Sequence, residues 1–477
     1  MKSIKCDLAV IGAGAGGLSV AAGAAQLGVK VVLIENHKMG GDCLNYGCVP
    51  SKSLLAAAKA ANHFRTVAPF GIKPIEPDID FAKVMNHVRD VINIIGTTKD
   101  SIERFTQLGV KVIQANGQFI DPNTIRAGDT TITARRFVIA TGSSPAIPPI
   151  EGLDKVAFYT NETIFNITKK PAHLIIIGGG PIGCEMGQAF LMLGSKVTVL
   201  EGNHILSHDE EDLVDMLRTH LKKQGMEIFE NTKVIEVAQK DNQIETTIEK
   251  NGQQQTIIGS DVLVATGRRV NVDSLNLEAA KILYTKKGIQ VNSKLRTSNK
   301  RVYAIGDVAG SYQFTHLANY HAGIAIRNIL FRIPAKVDYR ALPWVTYTEP
   351  ELAHVGLSSS EAEKLNSPCK TVTFDFAEID RALTENQTLG KIKVITNTRG
   401  KILGVTILGP HAGELLIPWI SAIQEGKTLR SMTNFIVPYP TLSEINKFVA
   451  NEFYMPIIFS KWTKKLVRFF KHIWIMQ

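Results

Sequence analysis

The chain has 477 residues, 44% hydrophobic and 21% charged, which leaves room for about three domains and excludes a disulfide-stapled miniprotein and a disordered chain. The formal net charge is +10, and half of it comes from Lys461, Lys464, Lys465, Arg468 and Lys471, in a stretch after Met455 that has no Asp or Glu; a nucleic-acid surface spread over the molecule is therefore not expected. Five cysteines, an odd number, argue against a secreted disulfide framework and for a reducing, cytoplasmic setting.

The N-terminus has the outline of a signal peptide, with Lys2, Lys5, an apolar run from Leu8 and small residues at 21–25. The spacing of Gly12, Gly14 and Gly17 explains those small residues better. Cys6–Ile11 reads as a strand, the glycines as a turn, the residues to Leu27 as a helix, and Val29–Ile34 as a second strand ending in Glu35. The same order recurs at His173–Ile177, Gly178, Gly180 and Gly183, a helix to Leu193, and Lys196–Leu200 ending in Glu201, with the acid equally far from the first glycine in both copies. Strand, glycines, helix, strand and terminal acid together describe a dinucleotide-binding βαβ unit. The first glycine makes the turn, the second admits the pyrophosphate, and the third lets helix and strand pack; the helix N-terminus faces the phosphates and the acid accepts from a ribose diol.

A second repeated motif follows each unit: a strand ending in Ala140-Thr141-Gly142, and one ending in Ala265-Thr266-Gly267. The interval is longer in the first copy, and the excess contains an unusual cysteine pair. Pro145, Pro148 and Pro149 mark a crossing between domains. Residues 301–307 predict a strand closing on Gly306-Asp307, then a helix through Ile329. Asp307 reads equally well as a polyol-binding acid at the carboxyl edge of a parallel sheet and as a helix N-cap. Beyond Pro334, alternating apolar runs such as Lys391–Ile395 and Ile402–Leu408 predict an α+β domain. No apolar run is long enough for a membrane-spanning helix.

The pair lies in Gly40-Gly41-Asp42-Cys43-Leu44-Asn45-Tyr46-Gly47-Cys48-Val49-Pro50-Ser51-Lys52, opening a predicted helix through Ala61. Two cysteines so spaced at a helix N-terminus can close a small disulfide, and the dipole lowers the pKa of the one nearest the helix. Lys52, one turn on, shares a helical face with Cys48 and would favour a thiolate or a reduced, anionic flavin. The competing readings are half a zinc site and two inert thiols; zinc needs two further ligands, and neither a second cysteine pair nor a nearby histidine supplies them. No metal site is expected.

At this segment the sequence resembles the class I pyridine nucleotide-disulfide oxidoreductases, the FAD-containing family of glutathione reductase, dihydrolipoamide dehydrogenase and mercuric reductase, over roughly residues 4–455. The resemblance implies an α/β fold with two Rossmann-like dinucleotide-binding domains and a C-terminal α+β dimerisation domain. FAD would bind to 1–150, with Gly12, Gly14, Gly17, Glu35, Lys52, Thr141 and Gly142, and to 276–338, with Asp307 on the ribityl chain. The nicotinamide nucleotide would bind to 151–275, with Gly178, Gly180, Gly183, Glu201 and Gly267. Residues 339–455 would form a homodimer. The implied reaction moves hydride from the nicotinamide to the flavin and then reduces a Cys43–Cys48 disulfide. Cys48 would be the thiol next to the flavin, Cys43 the thiol that meets substrate, and Lys52 would pair with Glu185. Glu201, followed by Gly202, Asn203 and His204 without an arginine, favours NADH over NADPH; Arg268 and Arg269 are the residues that could reach an extra phosphate.

One catalytic position departs from the family pattern. Where the glutathione and lipoamide enzymes carry an acid-base histidine paired with a glutamate, this chain has Tyr439 and Glu444. A tyrosine titrates near ~10 against ~6.5 for histidine, a poor proton shuttle at neutrality. Tyrosine here is similar to mercuric reductase, although the further C-terminal cysteine pair of those enzymes is missing. Cys6, Cys184 and Cys369, the last expected in a loop, read as structural. The expected acceptor is a small disulfide, a thiol or a thiol-bound metal. Dihydrolipoamide dehydrogenase is one alternative, and a membrane-associated redox partner or sensor is another.

Residues 456–477 form a basic appendix. At 100° per residue, Trp462, Leu466, Phe469, Phe470, Ile473 and Trp474 share one arc, and Lys461, Lys464, Arg468 and Lys471 the opposite one. The pattern fits a peripheral helix on the inner face of a membrane, and equally a helix docked on its own dimer with a solvated basic face.

Overall fold

The computed structural model describes residues 2–365 and 367–475. They fall into two compact units: residues up to Ile205 with Gly225–Asp338, and Leu206–Gln224 with Tyr339 onward.

The first unit opens with β1 (Lys2–Ile11), α1 (Ala15–Gln26) and β2 (Val31–Glu35). The inner half of β1 and all of β2 are buried, as apolar runs without alternation require of parallel strands covered on both faces. The excursion to the cysteine segment follows as α2 (Gly41–Asn45), α3 (Cys48–Thr66) and α4 (Phe81–Thr98). The chain re-enters the sheet through β3 (Lys111–Gln114), β4 (Gly117–Asp121), β5 (Thr124–Ala127) and β6 (Thr130–Ile139). β1 is central, in parallel register with β2 (Leu8 opposite Val31) and with β6 (Val10 opposite Val138). Ile11, Glu35 and Ile139 therefore end at one edge, where ligands bind in such sheets.

The second βαβ unit is β7 (His173–Ile177), α5 (Pro181–Met192) and β8 (Lys196–Leu200), joined by β9 (Glu227–Phe229) and β10 (Asp261–Val264) in the parallel order β9-β8-β7-β10. A three-stranded antiparallel sheet, Lys233–Lys240, Gln243–Lys250 and Gln253–Gly259, precedes β10. The chain then returns to the first sheet: β11 (Val302–Ala304) pairs with the end of β6, Val302 opposite Phe137. This return completes the sheet with seven strands among the described residues. α6 (Thr315–Ile326) follows and continues as a π-helical turn, Arg327–Phe331, where the sequence predicts regular helix through Ile329.

In the second unit, β12 (Pro343–Thr346), β13 (Glu351–Gly356), β14 (Cys369–Asp375), β15 (Lys391–Asn397) and β16 (Ile402–Gly409) make an antiparallel sheet in the order β12-β13-β16-β15-β14. Val394, Ile407, Trp419 and Ile445 fill its core, and α7 (Glu444–Ile458) packs along β14 and β15. Cys369 opens the edge strand β14, opposite Asn397, and does not lie in a loop. The helix Glu211–Lys223, which the sequence places in the 151–275 domain, belongs to this unit. Glu210 before it accepts from Ser359 N (2.5 Å) and Lys393 Nζ (2.7 Å), and Asp209 accepts from Trp344 Nε1 at 2.7 Å. The last helix is α8 (Lys461–Ile475); the side chains after Lys471, including Ile473 and Trp474, lie outside the described residues.

Candidate active site

The two glycine motifs have the same internal architecture. A Cβ on Gly12 (φ +101°) would stand 2.4 Å from the Ala140 carbonyl oxygen, and one on Gly178 (φ +115°) 2.4 Å from that of Ala265. The repeated Ala-Thr-Gly motifs are thus the walls against which each first glycine turns. The third glycines are closed by the chain itself, with Gly12 O at 1.8 Å from a Cβ on Gly17 and Gly178 O at 2.0 Å from one on Gly183. The second glycines are open: the nearest atom to a Cβ on Gly14 is 3.9 Å away, and nothing lies within 4 Å of one on Gly180. Both cap their helices, α1 and α5, without a side-chain hydrogen bond, so the helix N–H groups face outward as a pyrophosphate requires. Gly142 and Gly267 are likewise unobstructed.

The terminal acids are held alike. Glu35 Oε2 accepts from Ala13 N at 2.6 Å and Oε1 from His37 N at 2.8 Å; Glu201 Oε2 accepts from Gly179 N at 2.7 Å and Oε1 from Asn203 N at 2.9 Å. Each carboxylate is fixed at the sheet edge with lone pairs left for a ribose diol. These residues fit FAD and a nicotinamide dinucleotide.

Cys43 lies in α2 and Cys48 is the first residue of α3, where the absence of a side-chain cap leaves the helix N–H groups unsatisfied. Both thiols are free. The Cys43 thiol donates to Cys48, which drives the Cys48 pKa down to about 6 and its own up; the Thr315 hydroxyl, 3.4 Å from Cys48 Sγ, and the Lys52 charge act on Cys48 in the same direction. The pair therefore holds one proton, on Cys43, and one thiolate, on Cys48. Cys48 is exposed and Cys43 half-buried, the reverse of the order that the resemblance implies, in which Cys43 is the outer thiol. Lys52 Nζ donates to Glu185 Oε2 at 2.6 Å, so α5 of the second βαβ unit supplies a buried carboxylate that positions a lysine of the first.

Asp307 stands at the end of the returning strand, buried, with its pKa raised by that burial. It accepts from Ser143 Oγ at 2.5 Å, which accepts from Arg268 Nε at 2.8 Å; Arg268 also pairs with Asp42 at 3.1 Å, and Asp42 accepts from Asn161. The network ties Asp307 to the residue beside Cys43. Sequence reasoning missed Thr315, Ser143 and Asn161, which no motif marks, and the role of Asp42, although it lies inside the cysteine segment. It also missed His321, kept neutral by burial, whose Nδ1 accepts from Gly306 N at 3.1 Å and fixes the turn before Asp307. Thr141 serves the fold, donating from its hydroxyl to Asn271 O at 2.7 Å.

Tyr439 is exposed, and its hydroxyl donates to Asp380 Oδ2 at 2.9 Å, which holds the phenol above its ordinary pKa. Glu444 Oε2 instead accepts from Thr441 N at 3.3 Å. The family's acid-base pairing carried onto Tyr439 and Glu444 is thus not formed, because each group has a nearer partner. Cys6 and Cys184 are buried, and burial raises the Cys6 pKa to about 11.

Two dinucleotide cradles on parallel sheets, with a dithiol at the head of a helix inserted into the first, define a two-nucleotide disulfide oxidoreductase. Residues 6–322 match the family model of the pyridine nucleotide-disulphide oxidoreductases, and residues 342–449 that of their dimerisation domain. The chain belongs to this family and is an oxidoreductase of the flavin-dependent kind. It is 35% identical over 452 residues to a mercuric reductase of Staphylococcus aureus, covering 94% of this chain and 82% of that one. It is also 35% identical over 451 residues to a dihydrolipoyl dehydrogenase of Geobacillus stearothermophilus, covering 93% and 95%. Among solved structures it resembles the Cu(II) complex of the HOCl-induced flavoprotein disulfide reductase RclA from Escherichia coli, with TM-score 0.85, 27% identity, and 93% and 99% of the two chains covered.

Proposed function

We propose that the protein oxidises NADH and delivers the electrons, by way of FAD and the Cys43/Cys48 pair, to a soft metal ion carried on thiols. The observation that carries this reading is Tyr439 bound to Asp380 in place of a histidine. Oxidising a dithiol requires a group that takes up thiol protons near neutral pH, and a phenol held above its ordinary range by a carboxylate is a poor one. A thiol-bound metal makes no such demand: one carrier thiolate gives way to the Cys48 thiolate, the second takes the Cys43 proton and leaves as a thiol, and both cysteines then hold the metal. FAD, when bound, relays two electrons from the nicotinamide to this dithiol site. Glu35 and Asp307 hold its ribose and ribityl ends, Lys52 set by Glu185 supplies a fixed positive charge, and Cys48 is a thiolate at working pH. Glu201 accepts from free ribose hydroxyls and repels an additional phosphate; Arg268, engaged with Ser143 and Asp42, and Arg269, paired with Asp273, are already committed, which supports NADH. The dimerisation domain supports a homodimer.

The names of the relatives agree with a metal acceptor, through the mercuric reductases and the Cu(II) complex. Dihydrolipoamide oxidation is the competing reading, favoured by the fuller coverage of that relative. A redox partner or sensor would show no turnover with small acceptors. The test is one panel of steady-state rates with NADH and NADPH against Hg(II) with excess thiol, Cu(II) with excess thiol, lipoamide, oxidised glutathione and a quinone. Metal reduction by NADH as the dominant activity is expected; lipoamide turnover exceeding it would overturn the assignment.

A further inference from the structure

We propose that α8 is an interfacial helix that docks the enzyme on an anionic phospholipid surface, an interaction independent of which electron acceptor is correct. The helix is built to stand apart from the domain before it. Pro456 lies in the last turn of α7, which ends two residues later, and Ser460 starts a new helix by accepting from Thr463 N at 3.2 Å. The matched dimerisation domain ends at residue 449, so α8 is an addition to the family frame.

Around the helix axis, Trp462, Leu466, Phe469 and Phe470 lie within one arc, and Lys461, Lys464, Arg468 and Lys471 on the other side. Among the described residues neither side is covered: the basic residues are exposed, and so are Trp462 (72%), Phe469 (61%) and Phe470 (49%). Ile457, Ile458 and Phe459, each more than half exposed, extend the apolar surface into the end of α7. Aromatic rings beside lysines whose aliphatic stems can reach outward match the depth profile of a headgroup region. Charge chooses the occupant. With five basic residues and no acid after Met455, two such tails repel one another, whereas an anionic leaflet attracts each one. No described helix is long and apolar enough to cross a membrane, so the contact is peripheral.

The experiment is vesicle flotation of the purified, flavin-loaded full chain with phosphatidylcholine alone and with phosphatidylcholine mixed with phosphatidylserine, at low and high salt, alongside its mass by analytical ultracentrifugation. The intact protein should float with the anionic vesicles at low salt, at least about tenfold more than with the zwitterionic ones, and lose this at high salt. Lys464→Glu/Arg468→Glu/Lys471→Glu, Trp462→Ser/Phe469→Ser and a chain ending at Ser460 should each stay at the bottom, with the oligomeric state and NADH-reduced spectrum of the parent. Equal flotation of parent and variants, or no flotation of the parent, would overturn the proposal. So would loss of the dimer in the shortened chain, which would place α8 at a protein interface.

Discussion

Removing the Thr315 hydroxyl tests how the Cys48 thiolate is made. Cys48 titrates at about 6 instead of the ordinary 9.0 because Cys43 donates to it, Thr315 lies within hydrogen-bond reach and Lys52 contributes a positive charge. A hydrogen bond to a charged acceptor is worth about 1.5 kcal/mol at the low end, suited to the long 3.4 Å contact, and one pKa unit corresponds to about 1.4 kcal/mol. Thr315→Val should therefore raise the Cys48 midpoint by about one unit, while Thr315→Ser keeps it in place. The assay is the pH dependence of iodoacetamide alkylation in the dithionite-reduced enzyme, with the modified cysteine identified by mass spectrometry. Since the thiolate is the nucleophile, the rate follows ionisation, and at pH 6 the Thr315→Val protein should react several-fold more slowly. A parent midpoint in the ordinary thiol range, or one unmoved by the substitution, would refute the geometry on which the site rests.

The glycines separate packing from binding: Gly180→Ala meets open space and should leave the fold and flavin content intact while raising the KM for NADH about tenfold or more, whereas Gly183→Ala meets Gly178 O and should lower stability by about 3 kcal/mol. Thermal melts and NADH titrations distinguish the two, and identical behaviour would reject the assignment. Tyr439→His should raise lipoamide turnover by about a hundredfold and leave thiol-bound metal reduction within a few-fold, measured as kcat for both acceptors; no gain would show that the proton shuttle is not what limits dithiol chemistry. Burial pushes the Asp209 carboxyl up to about 6, so the folded state holds a proton that the unfolded chain has released, and stability of the second unit falls as pH rises from about 4 to about 6. Asp209→Asn should remove that slope and stabilise by about 1 kcal/mol at neutral pH; parallel urea-denaturation curves for parent and variant across this range would count against it.

The nucleotide frame was legible because its constraints are local. A glycine at positive φ against a carbonyl, and an acid at a strand end, leave a signature within some two dozen residues, and the copy at 178–201 repeats it. The cysteine segment was legible for the same reason. Thr315, Asn161 and Ser143 were not, since each is an ordinary polar residue whose role exists only after the chain has returned from a distant segment. Lys52 and Glu185 could be joined beforehand only through the family resemblance; nothing in the local pattern pairs them. The helix Glu211–Lys223 was assigned by chain order to the nucleotide domain, yet its buried leucines and the Glu210 contacts to Ser359 and Lys393 give it to the other unit. Edge strand β14 was missed at Cys369, where a polar, weakly alternating run resembles a loop.

The two βαβ units also show where chemistry was added to a duplicated frame. Around Gly12 and Gly178 the wall, the closed third glycine and the two amide contacts to the acid are nearly superposable in kind and distance, so neither unit by itself specifies an electron path. The difference lies between the second strand and the Ala-Thr-Gly motif, where the first copy inserts α2, α3 and α4 and the second a small antiparallel sheet. Only the first insertion places thiols, and it sets Cys48 at the head of a helix within reach of the Cys43 thiol, the Thr315 hydroxyl and the Lys52 charge, which together make it an anion. Lys52 takes a counter-charge from Glu185, on the helix that opens the other nucleotide cradle, at 2.6 Å. The carboxylate is buried and the ammonium partly exposed, so removing the lysine withdraws a counter-charge from the more desolvated of the two groups and is the costlier change. The pairing thus makes the dithiol segment and the nicotinamide cradle structurally interdependent, and a substitution at Glu185 should disturb flavin reduction before it disturbs the fold.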